Sequence, residues 1–349
     1  MSVFDHSEFD NHERVAFWHD SKTGLKAIIA VHNTNLGPAL GGCRMWPYAD
    51  SAEALTDVLR LSRGMTYKAA MAELKLGGGK SVIMGDPRQI KTTEMMESMG
   101  RFVDSMGGSY FTAEDSGISV DDLQNMAKHS KYIAGINAKF RYTGEPSDGN
   151  PAPSTAYGVY VGLLAAVKHK FNADVKGLTV AIQGLGHVGY RLAQHLHQAG
   201  ANLVVADIYP ENAERARNEF GATVVAPQEI NAVKADVLAP CAMGATINPQ
   251  SLETIQAQVI AGAANNQLST ESMGEELRKK GILYAPDYVI NAGGVIDIYH
   301  QRFESNAAAM KTHIERIGDN LADIFARAES EQAATNKIAN AIAEERFNG

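Results

Sequence analysis

The run Gly184-Leu185-Gly186-His187-Val188-Gly189 constrains this chain more than any other stretch. It stands directly behind the apolar LTVAIQ (178–183) and opens a segment in which Val188, Leu192, Leu196 and Ala199 share one helical face. In such a strand–turn–helix unit the first glycine permits a tight turn, the second lets the backbone approach a pyrophosphate, and the third lets helix and strand pack closely. N–H groups at the helix start then face the anion. Asp207 ends the next apolar run, LVVAD (203–207), where a carboxylate accepts hydrogen bonds from ribose hydroxyls and repels a 2′-phosphate. Together these features predict a dinucleotide site built on Gly184, Gly186, Gly189 and Asp207, with NAD favoured over NADP. FAD shares the fingerprint, so the glycines alone do not select a nicotinamide. The plainer reading is a tight turn followed by a solvated strand end.

Further apolar runs recur at TVV (223–225), DVLAP (236–240), QVIAG (258–262) and ILYAP (282–286), several of them separated by helical stretches. Near-continuous apolar strands alternating with helices predict a parallel sheet covered on both faces, the doubly wound arrangement. Upstream, KAIIAVH (26–32), SVIM (81–84) and Tyr110 to Thr112 read as strands. Helices are expected from the capping-box spacing at Asp50–Glu53 to about Ala72, over Thr92 to Met106, and from about Ser119, with Asp122 at its cap. The turn formers of TGEPSDGNPAP (143–153) mark a domain boundary, and the Ala- and charge-rich stretch from Ala307 onward is helical. A chain of 349 residues exceeds what one core usually organises. The expected fold is therefore α/β, with two domains across a cleft: an α/β domain of residues 1–146 and a Rossmann-type domain of 147–326.

A formal charge of −8 gives no general electrostatic reason to bind nucleic acid or an anionic membrane. No run reaches the ~20 apolar residues of a membrane span. The opening MSVFDHSEFDNHERV lacks the layout of a signal peptide, so a cytoplasmic protein is expected. Cys43 and Cys241 suggest neither a disulfide framework nor a metal site.

Leu76-Gly77-Gly78-Gly79-Lys80-Ser81 is not a phosphate loop: Leu74 stands where the first glycine is required, and the segment leads into a strand. The glycines are expected to let backbone crowd a reacting group, and desolvation in a confined site would make Lys80 a candidate general base. Lys68, in Met65-Thr66-Tyr67-Lys68, is a natural counter-charge for a carboxylate. Glu114 and Asp115 follow a strand, where α/β side chains often enter a cleft. Each has an ordinary reading as well: a snorkelling surface lysine, or acids at a helix N-terminus. Spacing alone does not bring the three segments together.

At these residues the chain resembles the glutamate, leucine, phenylalanine and valine dehydrogenase superfamily, nearest to its leucine dehydrogenase branch. The likeness runs through LGPALGGCRMWPY (36–48), RGMTYKAA (63–70), LGGGKSVI (76–83), TAEDSG (112–117), STAYGV (154–159), QGLGHVG (183–189), APCAMGA (239–245), AGAANNQL (261–268) and YAPDYVINAGGVI (284–296). It implies that the C-terminal helix, about 327–349, returns to the first domain. It also implies NAD-dependent conversion of an L-amino acid to its 2-oxo acid and ammonia. Lys68 would bind the substrate carboxylate, Lys80 would activate the water that attacks an imine carbon, and Asp115 would move protons to and from the amino group. Thr155 and Asn265 match positions near the nicotinamide carboxamide, while Gly42, Met65 and Asn266 match positions lining the site.

The resemblance also bears on substrate. Glutamate-specific relatives carry Lys where this chain has Leu40 and Ser where it has Val295. A glutamate side chain buried there would lose hydration without a partner. Leu40, Ala113, Val295 and Ile298 match the apolar pocket of leucine dehydrogenases, suited to leucine, valine or isoleucine. Ile298 stands where those enzymes carry Val, a change worth only ~1–3 kcal/mol among branched substrates. A phenylalanine or tryptophan dehydrogenase is the alternative within the superfamily, and a non-catalytic dinucleotide-binding protein the alternative outside it. A homo-oligomer is implied, dimer or octamer; the chain ends at Gly349, before the C-terminal tails of the octameric enzymes.

Overall fold

The computed structural model describes residues 2–136, 139–147, 149–242, 244–304 and 306–349. The chain opens with three strands, β1 (Arg14–Asp20), β2 (Leu25–Asn33) and β3 (Ala39–Trp46). Helix α1 (Ser51–Met71), strand β4 (Gly77–Met84), the short α2 (Pro87–Ile90), α3 (Thr93–Ser105), β5 (Tyr110–Ala113) and α4 (Val120–Ala127) complete the first layer system. Its sheet runs β1-β2-β4-β3-β5, antiparallel at β1/β2 and β2/β4 and parallel at β4/β3 and β3/β5.

The expected caps at Asp50 and Asp122 form, and Thr92 and Ser119 add two more. Asp50 accepts from the N–H groups of Ala52 and Glu53 and starts α1, Thr92 caps α3, and Ser119 with Asp122 forms a full capping box on α4. Two features go beyond the sequence pattern. β1 and β3 were not foreseen, since β1 is a half-exposed edge and β3 is diluted by Gly41 and Gly42. The glycines before Lys80 lie inside β4, and packing explains them: a Cβ on Gly78 would meet the Thr66 backbone N at 2.0 Å, and one on Gly79 the Tyr110 ring at 2.7 Å. They let α1 and Tyr110 press onto the strand.

The second system begins with α5 (Ala152–Phe171), β6 (Thr179–Gln183), α6 (His187–Gln198), β7 (Asn202–Ala206), α7 (Pro210–Phe220) and β8 (Thr223–Val224). It continues through β9 (Val237–Pro240), α8 (Pro249–Thr254), β10 (Val259–Ile260), α9 (Met273–Lys279), β11 (Leu283–Tyr284), α10 (Asp287–Ile290) and α11 (Gly293–Phe303). All six strands are parallel, in the order β11-β10-β9-β6-β7-β8. The order reverses at β6, so the crevice beyond β6 and β9 is the topological switch point at which α/β sheets bind ligands.

Two last helices tie the halves together: α12 (Ala307–Glu331), which packs along α5, and α13 (Thr335–Asn348), which packs on α1. The free carbonyls that end α1 receive side chains from both. Arg346 donates to Ala70 and Met71 O, Asn320 to Met71 O at 3.0 Å, and His313 Nε2 lies 2.6 Å from Ala72 O. The helix that carries Lys68 is thus anchored from the far end of the sequence. Among the described residues no helix is long and apolar enough to cross a membrane.

Candidate active site

Strand register builds the first part of the site. β3 pairs Leu40 with Gly78 and Cys43 with Ser81, which sets Gly42 beside Lys80; on its other side Gly42 pairs with Ala113 of β5. Asp115, just past the end of β5, folds back over this row and forms an ion pair with Lys80. Lys80 is only 6% exposed. Gly42 makes this possible, because a Cβ there would fall 2.7 Å from Asp115 Cβ.

Asp115 is held from several directions. Burial opposes its ionisation, yet the charges of Lys80 and Arg44, with hydrogen bonds from Lys80 and Ser116 N, hold its pKa at about 2. Ser116 N donates to Oδ1 at 2.6 Å, and Arg44 Nη2 stands 3.6 Å from the same oxygen. Neighbouring Glu114 is shifted upward by burial and by the Asp115 charge. Lys80 and Asp115, expected separately from sequence, are one buried pair.

Lys68 enters from α1, one turn beyond Met65. Its Nζ lies 3.4 Å from Asn265 Oδ1, which also accepts from Asn291 Nδ2 at 2.8 Å. This contact spans the cleft from the first sheet system to the second. Burial lowers the Lys68 pKa to about 8; the Asp287 charge opposes that fall and the Lys80 charge adds to it. Asn265, expected near the cofactor, is therefore the residue that meets Lys68. Asn266 takes a left-handed turn conformation, φ 51°, and its carbonyl accepts from Ala245 N at 2.6 Å.

The apolar residues belong to one continuous cluster. Leu40 is 2% exposed, Ala113 3% and Val295 9%, with Met65 and Ile298 packed against them at its edge. α11 brings Val295 and Ile298 up close because Gly293 and Gly294 leave no side chain against α5. A Cβ on Gly293 would meet Ser154 O at 2.1 Å, and one on Gly294 would meet Thr155 Oγ1 at 2.7 Å. Thr155, in the first turn of α5, donates to Pro151 O at 3.1 Å. A surface concavity of about 560 Å³ around Tyr160, Lys168 and Asp174 shares no residue with this site.

The three glycines of the fingerprint differ in their surroundings. Gly184 has φ 92°, and a Cβ on Gly189 would meet Gly184 O at 2.0 Å, whereas a Cβ on Gly186 would enter open space. Gly186 also begins α6 with no side-chain cap, leaving N–H groups directed outward. That combination fits a pyrophosphate. Asp207 accepts from Leu185 N at 2.6 Å and Tyr209 N at 2.8 Å, which fixes the carboxylate at the tip of β7.

Family models match along most of the chain: "Glu/Leu/Phe/Val dehydrogenase, dimerisation domain" over residues 12–132, and "Glutamate/Leucine/Phenylalanine/Valine dehydrogenase" over 149–208 and 207–346. The chain belongs to the Glu/Leu/Phe/Val dehydrogenase family. It is 48% identical to the leucine dehydrogenase of Thermoactinomyces intermedius over 348 residues, covering 99% of this chain and 94% of that one. The phenylalanine dehydrogenase of Caldalkalibacillus thermarum is 43% identical over 353 residues, covering 99% and 94%. The crystal structure of L-tryptophan dehydrogenase from Nostoc punctiforme superposes with a TM-score of 0.86 at 43% identity, covering 97% of this chain and 96% of that one. This family member is thus an amino-acid dehydrogenase, an oxidoreductase of a dinucleotide-dependent family with the expected two-domain α/β fold.

Sequence reading missed three residues at the site. Arg44 lies two positions after Gly42 in a strand that was not recognised, Asn291 orients Asn265, and Tyr110 joins three strands beneath Lys80. The Tyr110 hydroxyl donates toward Gly41 O at 2.9 Å and lies 3.1 Å from Ser81 Oγ. Arg44 and Asn291 fall within blocks that carry the resemblance, but only register and packing give them a task.

Proposed function

We propose that the protein catalyses the reversible, NAD-dependent oxidative deamination of branched-chain L-amino acids (leucine, valine, isoleucine) to 2-oxo acids and ammonia. The observation that carries this reading is the buried Lys80–Asp115 pair standing in one row with Gly42 and Ala113. A bound nicotinamide dinucleotide supplies the two-electron oxidation. Gly184 and Gly186 would hold its pyrophosphate on the turn against which Gly189 packs, Asp207 its ribose, and Thr155 and Asn265 its carboxamide end, while exposed Ile208 and Tyr209 offer apolar surface beside Asp207.

Lys68 binds the substrate carboxylate, with Met65, Gly42 and Asn266 around it. After oxidation at the α-carbon the substrate is an imine. Lys80, once it has passed its proton to Asp115, deprotonates the attacking water, and Asp115 delivers the proton it received to the departing nitrogen. The chain's residues close bulk water out and keep the reacting groups aligned. Overall, amino acid, oxidised dinucleotide and water give oxo acid, ammonia, reduced dinucleotide and a proton.

Leu40, Ala113, Val295 and Ile298 receive the side chain. A glutamate carboxylate against Leu40 and Val295 would be desolvated without a partner, at several kcal/mol. We further propose that residues 1–146 with about 327–349 form the substrate domain and 147–326 the NAD domain. In this reading the protein is cytoplasmic and works as a homo-oligomer, for which the edge strand β1 with its exposed Phe17 offers a surface.

A panel of L-amino acids assayed with NAD and NADP, read by the appearance of the reduced cofactor, tests the reading. Leucine, valine or isoleucine should lead phenylalanine and tryptophan, and glutamate should be inert. Lys80→Ala should lose turnover by at least about a hundredfold while still binding NADH. Binding of NADH with no oxidation of any apolar amino acid would overturn the proposal in favour of a non-catalytic dinucleotide-binding protein.

A further inference from the structure

We propose that Arg44 is a positioning residue for Asp115, turning one carboxylate oxygen toward Lys80 and holding the other out of the reaction. The inference rests on the reading of Asp115 as proton carrier. A carboxylate on a freely rotating side chain offers two equivalent oxygens, and here unlike donors make them different. Oδ2 pairs with Lys80, whereas Oδ1 takes the Ser116 N–H at 2.6 Å and faces Arg44 Nη2 at 3.6 Å. Because Gly42 has no side chain, Asp115 lies flat over β3, the strand from which Arg44 extends two residues further on.

Arg44 is itself held. Its Nη1 donates to Asp57 Oδ2 at 2.9 Å, and Asp57, on α1, also accepts from the Tyr48 hydroxyl at 2.7 Å and from Arg60 at 3.2 Å. A charge ladder Lys80–Asp115–Arg44–Asp57 therefore runs from the site to the helix that carries Lys68. The Arg44 Nε is buried and has no hydrogen-bond partner among the described residues. The guanidinium sits where its two Nη groups reach two carboxylates, leaving a donor unmet, and an unmet buried donor normally costs stability. Such a sacrifice fits a group placed to serve its neighbours. Without Arg44, Asp115 keeps Lys80 and the Ser116 N–H but loses the cation that faces Oδ1, so its carboxyl is held less firmly and its proton affinity rises.

Steady-state kinetics of the full chain with NAD and its best amino acid substrate test this. Arg44→Met should lower kcat by at least about tenfold with KM within about threefold, and Arg44→Lys, which restores a cation, should recover most of the loss. The double variant Arg44→Met with Asp115→Asn should be no slower than Asp115→Asn alone, since Arg44 acts through that carboxylate. Wild-type kcat in Arg44→Met, no recovery in Arg44→Lys, or multiplicative losses in the double variant would each overturn the proposal. If Arg44→Met does not fold, Asp57→Asn releases Arg44 while leaving Asp115 untouched; it should lower kcat in the same sense, and an unchanged kcat would overturn the proposal. An active Asp115→Asn removes the reading of Asp115 itself, whereas a dead Asp115→Asn beside a fully active Arg44→Met removes only the role of Arg44.

Discussion

Gly42 and Asp115 compete for the same space: a Cβ on Gly42 would lie 2.7 Å from Asp115 Cβ and 2.7 Å from Glu114 O. The glycine, expected from sequence to line the substrate site, is what lets the carboxylate reach Lys80. Gly42→Ala should therefore push Asp115 off the ion pair and lower kcat by at least about tenfold, with the fold retained by circular dichroism. Unchanged kinetics would show that the Asp115 segment tolerates the shift.

The fingerprint glycines should separate binding from folding. A Cβ on Gly189 collides with Gly184 O at 2.0 Å, so Gly189→Ala should lower Tm by several degrees. A Cβ on Gly186 meets nothing within 4 Å, so Gly186→Ala should keep its Tm and weaken NADH by at least about tenfold. Fluorescence titration with NADH beside thermal melts checks both. Equal behaviour of the two variants would contradict the separate roles.

The apolar recess should set substrate size. Ala113→Gly together with Val295→Ala removes three carbons, one on β5 and two on α11. The ratio of kcat/KM for phenylalanine over leucine should rise at least about tenfold, the scale of a single methylene of pocket volume or more. A ratio that does not move would place the substrate side chain elsewhere.

Acid should weaken the fold through buried histidines. Burial pushes His32 from 6.5 to about 4, helped by the His12 charge and opposed by Asp10; His12 is lowered too, and burial takes His300 to about 4. The unfolded chain takes up these protons near 6.5, the native one only at lower pH, near 4 for His32 and His300. Between those values the unfolded state binds more protons, so stability is full above about 6.5 and falls as pH drops toward about 4. Urea midpoints measured across that window should fall, and His32→Gln should flatten the slope. A midpoint constant from neutral pH to about 4.5 would rule the effect out.

Much of this molecule is legible in local sequence. The doubly wound sheet was readable because each strand is a short apolar run with helix periodicity after it, and the caps at Asp50 and Asp122 because a capping side chain acts within three residues of its own position. β3 was not readable, since two glycines erase the strand pattern and their reason lies in other segments: Gly41 faces the Gly79 carbonyl and Gly42 faces Asp115. The same limit hid the purpose of Gly77–Gly79, which admit Asn33, Thr66 and Tyr110.

By itself the sequence determined the order of elements and the glycine turn with Asp207 behind it. Each depends on neighbours a few positions away, where the chain's geometry is nearly rigid. The tertiary structure alone decided that Lys80 meets Asp115, that Lys68 meets Asn265 across the cleft, and that Arg44 stands behind the carboxylate. These are contacts between segments far apart along the chain. They exist only once strand register and the packing of α12 and α13 on α1 have chosen one arrangement among many.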